Sequence, residues 1–188
     1  DVLESQSNRL KKLIEDLIEA SKASTGNLAV HLEKLEAGVS VVQIVGEFED
    51  KLNAADLTLL IQKPETPVYV MADGRHFWRV IDNLMNNICK YAQPGTRVYV
   101  DLRENGGQVE LIFRNTSRYP LNISSEELME RFVRGDESRN TEGSGLGISI
   151  AKSLMELMGG SFMLYVDGDL FKVVLGFAQM EEEKEPLD

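Results

Sequence analysis

The sequence has 188 residues, 43% of them hydrophobic, and its 31 acidic against 20 basic residues give a formal net charge of −11. This length allows one domain with a substantial core and one appended element, but not two full-sized domains. The acidic balance argues against nucleic-acid binding, because affinity for the phosphate backbone comes from clustered Lys and Arg. The single cysteine, Cys89, excludes an intramolecular disulfide and a cysteine-based metal cage, which fits a reducing, cytosolic setting.

The apolar runs and the two ends of the chain indicate whether the protein spans a membrane and whether the sequence is part of a longer one. No apolar run approaches the roughly 20 residues of a membrane-spanning helix, and no signal peptide opens the chain, so we expect a soluble domain. The chain begins at Asp1 inside a helical pattern, which suggests a fragment of something longer. Residues 179–188 are strongly acidic and predict a solvated tail.

The first 25 residues predict a long amphipathic helix. Its apolar residues recur at three-, four- and seven-residue spacings and are Leu3, Leu10, Leu13, Ile14, Leu17 and Ile18. This stripe can pack on the chain's own core or on a partner helix, and the pattern leaves both open. Gly26 marks the helix end, which favours a projecting helix joined to the rest by a short hinge.

The remaining chain alternates between strand-like and helical patterns. In chain order it predicts a strand over 28–35, a helix over 40–52 capped by Ser40, strands over 57–62 and 68–72, a long amphipathic helix over 74–91, strands over 97–103 and 108–115, a short helix over 126–132, a helix opened by 143–147, and strands over 161–166 and 171–177. Pro94 and Gly95 end the long helix. Residues 116–141 lack a sustained period, and a loop this long is usually a functional lid or disordered.

A glycine-rich turn runs directly into a helix in EGSGLGISIAK, residues 142–152. Such a turn leaves backbone N–H groups free and directs the positive end of the helix dipole outward, which suits phosphate. Gly143, Gly145 and Gly147 let the backbone approach a ligand closely. The same motif also occurs as a tight loop-to-helix turn without a ligand, so alone it leaves both interpretations open.

Polar residues are spaced along one face of the long helix. Asn83, Asn87 and Lys90 are separated by four and three residues and so share that face. Amide oxygens there can ligate Mg²⁺, which takes few protein ligands beside phosphate oxygens and water, and Lys90 can offer its charge to a phosphate. For this segment alone, an ordinary solvated helix face is the simpler interpretation.

The third segment is ERFVRGDESR, residues 130–139, within the long loop. Phe132 can anchor the loop, while Arg131, Arg134 and Arg139 can clamp phosphate oxygens bidentately. An ordinary soluble surface loop is the alternative. Along the chain the asparagine-bearing helix comes first, followed by a hairpin, the Arg-bearing loop and the glycine-rich helix start, and this order favours a nucleotide site.

In their order along the chain the segments resemble the ATP-binding catalytic domain of bacterial sensor histidine kinases, within the ATPase superfamily shared with gyrase B, Hsp90 and MutL. NLMNNICKY, residues 83–91, is similar to that family's N box, ERFVRGDESR to its F box, and EGSGLGISIAKSLMELMGG, residues 142–160, to its G2 box. Residues 7–24 resemble the second helix of its dimerisation domain.

The resemblance implies an α/β two-layer sandwich, the Bergerat or GHKL-type ATPase fold, in which a mixed, mostly antiparallel sheet packs on three helices behind a long amphipathic helix. It implies three segments. Residues 1–25 would be part of the dimerisation domain, residues 28–178 the ATP-binding domain and residues 179–188 an acidic tail. ATP would lie between the N-box helix and the lid.

The resemblance also implies residue roles. Asn87 would ligate Mg²⁺, Lys90 would contact a phosphate, Tyr91 would lie near the sugar or phosphates, and Arg134 would reach the terminal phosphate. The amides of residues 145–147 would hold the phosphate chain.

The remaining nucleotide-binding residues implied by the resemblance are Phe132, Gly143, Gly145, Leu146 and Gly147. Asn83 stands where hydrolytic relatives carry a Glu that activates water. Because an amide cannot accept that proton, Asn83 fits an enzyme that transfers the γ-phosphoryl to a side chain.

Two motifs depart from the family. FRNTS, residues 113–117, places Asn115 where the family usually has an Asp that accepts a hydrogen bond from adenine, and Thr116 and Ser117 where glycine is usual. The Asn115 amide oxygen can still accept that bond, so we expect adenine selectivity with weaker binding. GDLFKV, residues 168–173, stands where a Gly-Thr pair is common.

A family kinase also needs a phosphoacceptor His followed by an acidic residue, and the sequence has only His31 and His76. His31 lies in a predicted strand and His76 precedes Phe77 at the start of the N-box helix, so neither fits that role. We therefore expect the chain to bind ATP or ADP with Mg²⁺ without phosphorylating itself.

The resemblance thus implies transfer of the γ-phosphoryl of ATP to a histidine outside this chain, in two-component signalling. The implied partners are its own dimerisation domain, as a homodimer in the full-length protein, and a response regulator. The domain would be cytoplasmic, with the parent anchored in the bacterial inner membrane through missing parts.

Three alternatives remain. An anti-sigma-type serine kinase keeps an asparagine-rich box but does not explain the striped leading helix. A non-catalytic, dimerising interaction module would follow if the altered FRNTS segment abolished nucleotide binding. A gyrase- or Hsp90-type ATPase is disfavoured by Asn83.

Overall fold

The fold is known from a computed structural model that describes the backbone of residues 2–134 and 145–180. Within these ranges the side chains of residue 2 and residues 131–134 are not described. The described helices are α1 (Val2–Ser24), α2 (Ala37–Gly46), α3 (Glu49–Ala54), α4 (Gly74–Tyr91), α5 (Ser125–Arg134) and α6 (Gly147–Leu157). The described strands are β1 (Glu33–Glu36), β2 (Leu57–Gln62), β3 (Tyr69–Ala72), β4 (Thr96–Asn105), β5 (Gln108–Thr116), β6 (Ser161–Asp167) and β7 (Leu170–Met180).

The strands form one seven-stranded sheet in the order β1-β3-β7-β5-β4-β2, with β6 also paired to β7. β2 and β4 run parallel, and every other described pair is antiparallel. A tight turn with positive φ at Gly106 and Gly107 joins β4 to β5, as the hairpin pattern predicts. The expected mixed, mostly antiparallel sheet is therefore confirmed.

The core lies between this sheet and the helices. Alternate residues of β5, namely Val109, Leu111 and Phe113, are at most 1% exposed and share one face of the strand. They belong to one apolar cluster with residues of α2, α4 and α6, among them Val45 and Leu154. This cluster builds the two-layer sandwich predicted from the sequence.

Helix α4 begins and ends at the residues that its sequence predicts. The Asp73 carboxylate caps its start, because Oδ1 accepts hydrogen bonds from the backbone N–H groups of Arg75 (3.0 Å) and His76 (3.2 Å). Burial alone would raise the pKa of this carboxyl. That effect is outweighed by hydrogen bonds from the backbone N–H groups of His31, His76 and Arg75 and by the charge of His76, so the pKa lies below its usual value.

The strand predicted over 28–35 is wrong for most of its length, because only residues 33–36 form β1. The preceding residues are tied to α4 instead: the N–H of His31 donates to Asp73 Oδ2 (2.8 Å), and the His76 ring contacts the carbonyl of Ala29 (2.7 Å). His31 thus lies outside any strand, and both histidines contribute to this junction.

The Ser40 cap is also wrong. Glu36 caps α2, with its carboxylate accepting from the N–H groups of Gly38 (3.0 Å) and Val39 (2.6 Å). The Ser40 hydroxyl instead donates to the Glu36 carbonyl (2.8 Å) one turn earlier. The predicted helix over 40–52 is in fact two helices, α2 and α3, which are separated at Glu47 and Phe48.

Helix α1 does not project from the domain, contrary to the sequence-based expectation, but lies against α6 and is bound to α4 by ion pairs. The guanidinium of Arg79 on α4 contacts Asp16 Oδ1 (2.8 Å) and Glu19 Oε2 (2.7 Å) of α1 and Asp82 Oδ2 (3.3 Å) of α4. We call these four residues the Arg79 cluster. Burial lowers the pKa of Arg79, but the carboxylates of Glu19 and Asp16 outweigh it and raise the pKa.

The heptad-like stripe of α1 faces away from the core. Leu3, Leu10, Ile14, Leu17 and Ile18 are between 49% and 79% exposed, whereas Ala23 is only 4% exposed. Of the two packing modes that the sequence leaves open, the structure therefore excludes packing of these five residues on the chain's own core. Among the described residues, no helix is both long and apolar enough to cross a membrane.

Candidate functional site

A cavity of about 850 Å³ opens between α4, the start of α6 and α1. This volume lies within the range of about 300–1,000 Å³ usual for small-molecule sites. Six of the residues singled out from the sequence line it: Asn83, Asn87, Lys90, Tyr91, Gly145 and Gly147. The asparagine-bearing helix face and the glycine-rich helix start therefore meet at one site, as their order along the chain predicts.

Asn83 lies where α4 approaches α6. It is 8% exposed, and a Cβ built on Gly147 would lie 3.5 Å from its Oδ1. Its Nδ2 atom is buried and has no hydrogen-bond partner among the described residues. A buried amide without a partner is costly unless a ligand or water satisfies it, so Asn83 fits a polar ligand in the cavity.

Asn87, Lys90 and Tyr91 follow along the same face of α4. All three are partly buried, and Lys90 Nζ lies 4.8 Å from the centroid of the Tyr91 ring. By contrast, the Asn86 side chain is engaged: Nδ2 donates to the Asp82 carbonyl (2.8 Å) and Oδ1 accepts from Lys51 Nζ (2.9 Å). Asn86 is thus a structural residue.

The start of α6 presents backbone donors to the cavity. Gly145 has φ of +73°, a conformation that favours glycine, and no side chain caps the helix at Leu146. Gly147 and Ile148, the first two helical residues, line the cavity. Their amides lie at the positive end of the helix dipole, which favours an anion there.

Asn115 lies on β5, on the same face as Phe113, and does not line the described cavity. It is 4% exposed, and its Oδ1 is buried without a hydrogen-bond partner among the described residues. Thr116 continues β5, and the N–H of Ser117 donates to the Asp169 carbonyl (2.6 Å). Neither residue has positive φ, so glycine is not required where the family has it.

The predicted arginine-bearing lid is described only in part. Helix α5 covers the backbone of its first residues, but the side chains of Arg131, Phe132 and Arg134 lie outside the described residues. Arg139 and Gly143 lie outside them altogether. Their predicted roles stay predictions.

The charge around the cavity is opposite to that of the whole chain. Its described lining includes six basic residues and two acidic ones, namely Arg9, Lys12, Lys51, Arg79, Lys90 and Arg118 against Asp16 and Asp82. Both aspartates belong to the Arg79 cluster. A polyanionic ligand therefore meets a locally positive surface on an acidic protein.

Sequence reasoning missed Arg9, Lys12, Lys51, Arg79 and Arg118 as residues of this site. They come from elements far apart along the chain and form no motif. The only signal in the sequence was that basic residues are scarce. A phosphate site in such a chain needs basic residues from several elements.

The donor set favours phosphate-assisted metal binding over a carboxylate cage. Among the described residues, no group of three or more His, Cys, Asp or Glu could hold a metal ion. Mg²⁺ is often held by one or two protein oxygens together with substrate phosphates and water, and the amide oxygens on α4 fit that mode.

Residues 72–183 match the family of histidine kinase-, DNA gyrase B- and HSP90-like ATPases. The chain belongs to this family. The matched segment contains α4, α6 and most of the sheet, so the cavity residues of α4 and α6 lie within the family's ATPase domain. The family match makes ATP the nucleotide that this domain binds.

The relatives are longer proteins. The sensor protein IrlS of Burkholderia pseudomallei is 27% identical over 167 residues, covering 86% of this chain and 35% of IrlS. The chain thus spans about a third of the length of this relative.

Solved structures of histidine kinases share the fold. That of the Acinetobacter baumannii histidine kinase AdeS superposes with a TM-score of 0.77 at 20% identity, covering 96% of this chain and 83% of that one. The histidine kinase ThkA in complex with the response regulator protein TrrA gives a TM-score of 0.69 at 13% identity, covering 97% of this chain and 51% of that one.

Proposed function

We propose that this chain is the ATP-binding catalytic part of a sensor histidine kinase, which transfers the γ-phosphoryl of ATP to a histidine outside the chain in two-component signalling. The family match and the sensor proteins among its relatives support this proposal. So does a cavity in which an amide-bearing helix face and a glycine-rich helix start meet.

The observation that carries the proposal is the chemistry of the groups around Asn83. Hydrolysis of ATP needs a base that accepts a proton from water, and the Asn83 amide cannot act as one. The two carboxylates of the described lining, Asp16 and Asp82, are both engaged by Arg79. The site is therefore built to hold and orient a triphosphate for transfer to a protein side chain.

We assign the residues of α4 and α6 as follows. Asn87 holds Mg²⁺ through its amide oxygen, Lys90 contacts a phosphate, and Tyr91 lies near the sugar or phosphates. The amides of residues 145–147 hold the phosphate chain. Bound Mg²⁺ neutralises charge on the phosphates.

Asn115 is proposed as the acceptor for the adenine amino group, which its buried, unpartnered Oδ1 supports. Phe132, Arg134 and Gly143 keep the nucleotide-binding roles implied by the resemblance, although their side chains or positions lie outside the described residues.

The domain organisation and partners belong to the same proposal. Residues 1–25 are part of a dimerisation domain, residues 28–178 the ATP-binding domain and residues 179–188 an acidic tail. The exposed stripe of α1 supports homodimerisation of the full-length protein through this helix. The partner that receives the phosphoryl group from the phosphorylated histidine is a response regulator. The domain is cytoplasmic, and the full-length protein is anchored in the cell membrane.

The chemical stability of the label from [γ-³²P]ATP on the full-length protein tests the reaction. Phosphohistidine is stable in alkali and labile in acid, and this label is the expected result. An acid-stable label would instead favour the serine kinase, and steady phosphate release without a label would favour the hydrolytic ATPase. No nucleotide binding by the folded chain in isothermal titration calorimetry would favour the non-catalytic interaction module.

The role of Asn87 is tested with Asn87→Ala. We expect Mg–ATP binding to weaken about tenfold or more, the loss of roughly 1.4 kcal/mol, and Mg²⁺-free binding to change far less. Asn105→Ala, at the remote β4–β5 hairpin, is the matched control. Equal losses with and without Mg²⁺ would remove Asn87 from the metal.

A further inference from the structure

Helix α1 forms one wall of the cavity that faces α4. The lining residues that it contributes are Ser5, Asn8, Arg9, Lys12, Leu13 and Asp16. They recur at three- and four-residue spacings and so lie along one side of the helix. The site therefore extends beyond the matched ATPase segment, which begins at residue 72, onto a helix near the start of the chain.

Two basic residues on this wall are not paired with a carboxylate of the described residues. Arg9 and Lys12 are one helical turn apart, line the cavity, and form no ion pair with any residue in the part of the chain that is described. Their neighbour Lys11 differs on both counts, since it does not line the cavity and its Nζ lies 3.9 Å from Glu15 Oε1. All three side chains are exposed, so the difference is that Lys11 is paired with Glu15 whereas Arg9 and Lys12 line the cavity without an ion pair to a described residue.

The Arg79 cluster fixes which side of α1 faces the cavity. Asp16 and Glu19, about one to three turns after Arg9 and Lys12, are held by the Arg79 guanidinium at 2.8 and 2.7 Å. Because Arg79 is bound by three carboxylates, its charge is more than neutralised. Arg79 therefore docks the helix, while Arg9 and Lys12 supply unneutralised positive charge.

We propose that Arg9 and Lys12 contact the phosphate groups of the bound nucleotide, so that α1 and the ATPase domain together form a composite phosphate site. The proposal rests on the proposed function only in taking a nucleoside triphosphate as the ligand. It names two binding residues outside the matched ATPase segment.

Nucleotide binding and the docking of α1 on the domain are thermodynamically coupled in such a composite site. If docked α1 raises nucleotide affinity, bound nucleotide stabilises the docked state of α1 by the same factor. Nucleotide thereby governs how firmly the leading helix is held on the domain. The contribution grows with the number of phosphates, since both groups act through charge.

Nucleotide titrations test the contact. Isothermal titration calorimetry of the full chain with Mg–ATP, Mg–ADP and adenosine is compared for the wild type, the double variant Arg9→Ala/Lys12→Ala and the control Lys11→Ala. For the double variant we expect Mg–ATP affinity to fall by about tenfold to a hundredfold, a smaller fall for Mg–ADP, and unchanged adenosine affinity. The control should remain within about twofold of the wild type, as expected of an exposed pair.

The outcomes separate the two proposals. A wild type that binds none of these ligands contradicts the proposed function. A wild type that binds Mg–ATP no more tightly than the double variant contradicts the composite site and leaves the proposed function standing. Equal losses of Mg–ATP affinity in the double variant and the Lys11→Ala control would show that only the overall charge of α1 matters. That result would also overturn the proposal.

Amide hydrogen exchange over α1 supplies a readout independent of affinity. Mg–ATP should slow exchange in α1 of the wild type and have no such effect in the double variant. Adding Arg79→Gln should abolish the affinity difference between the double variant and its parent, because an undocked helix no longer presents either cation. The same affinity difference on the Arg79→Gln background would show that Arg9 and Lys12 act without docking, which would refute the composite site.

Discussion

The two helices that face each other across the cavity, α1 and α4, are held in place by different forces. α4 buries apolar side chains in the core, and Phe77, Ile81, Leu84, Met85 and Ile88 are each at most 2% exposed. α1 lies against α6 near its end and is joined to α4 through the charged Arg79 cluster, while most of its apolar residues face away. One wall of the site is therefore part of the core, and the other is attached to its surface.

This difference predicts how each wall responds to conditions. Apolar burial is insensitive to moderate salt, whereas ion pairs weaken as ionic strength rises. The position of α4 is therefore fixed as long as the domain is folded. The position of α1 depends in part on charge, so ligands, salt and substitutions at a few residues can shift it without unfolding the sheet.

The largest expected effect is that of Leu84→Ala on α4. Removing a fully buried leucine side chain should lower the free energy of unfolding by about 2–5 kcal/mol, through lost burial and the cavity left behind. Urea denaturation followed by circular dichroism measures this value. A loss below about 1 kcal/mol would mean that α4 is not held by apolar burial.

Arg79→Met should act on α1 and leave the sheet intact. It leaves the carboxylates of Asp16 and Glu19 without their cation, at a cost of about 2 kcal/mol, below the range for fully buried pairs because the Arg79 side chain is 22% exposed. Amide exchange should therefore quicken across α1 and stay unchanged in β5. Arg75→Met, an exposed arginine of the same helix, is the control. Unchanged exchange in α1 would show that other contacts dock it.

Asp73→Ala should cost about 1 kcal/mol at pH 7, because it removes the cap of α4. Since the folded state lowers the pKa of this carboxylate, its contribution is present above the unfolded pKa of about 3.9 and is lost as the pH falls through the folded value. The stability difference between the wild type and the variant should therefore shrink below about pH 4. A difference independent of pH would show that ionisation of Asp73 is irrelevant to the cap.

The smallest effect is expected for Leu17→Ala on the exposed stripe of α1. This side chain is 61% exposed, so its removal should change the free energy of unfolding by less than about 0.5 kcal/mol. It is the matched partner of Leu84→Ala, with the same change on the other of the two facing helices. A loss comparable to that of Leu84→Ala would mean that the stripe is buried in solution, and a concentration-dependent loss would identify a second copy of the chain as the cover.

Much of the fold could be predicted from local pattern. The limits of α4 follow from its apolar spacing and from Pro94, and the hairpin between β4 and β5 follows from alternation on either side of two glycines. The first part of the domain was harder. Glu36 is not a preferred capping residue type, and Ala29 and His31 are held by hydrogen bonds to the start of α4 and its capping residue Asp73 that no local pattern reveals.

The site could be predicted only where it follows a helix or a glycine motif. Asn83, Asn87 and Lys90 share a face because of helical spacing alone, and Gly145 and Gly147 mark a helix start. The docking of α1 could not be predicted, since Asp16 and Arg79 are 63 residues apart in sequence. Cations drawn from unrelated elements become recognisable as a cluster only in three dimensions.

The central position of β7 has a consequence for the order in which the protein can fold as it is synthesised. β7 pairs with β3 on one side and β5 on the other, and it is the link between β1-β3 and β5-β4-β2 in the described sheet. It is also the last described strand of the chain. A nascent chain that ends before Leu170 therefore holds two separate groups of paired strands and an unpaired β6, so the sheet is completed only once β7 has left the ribosome.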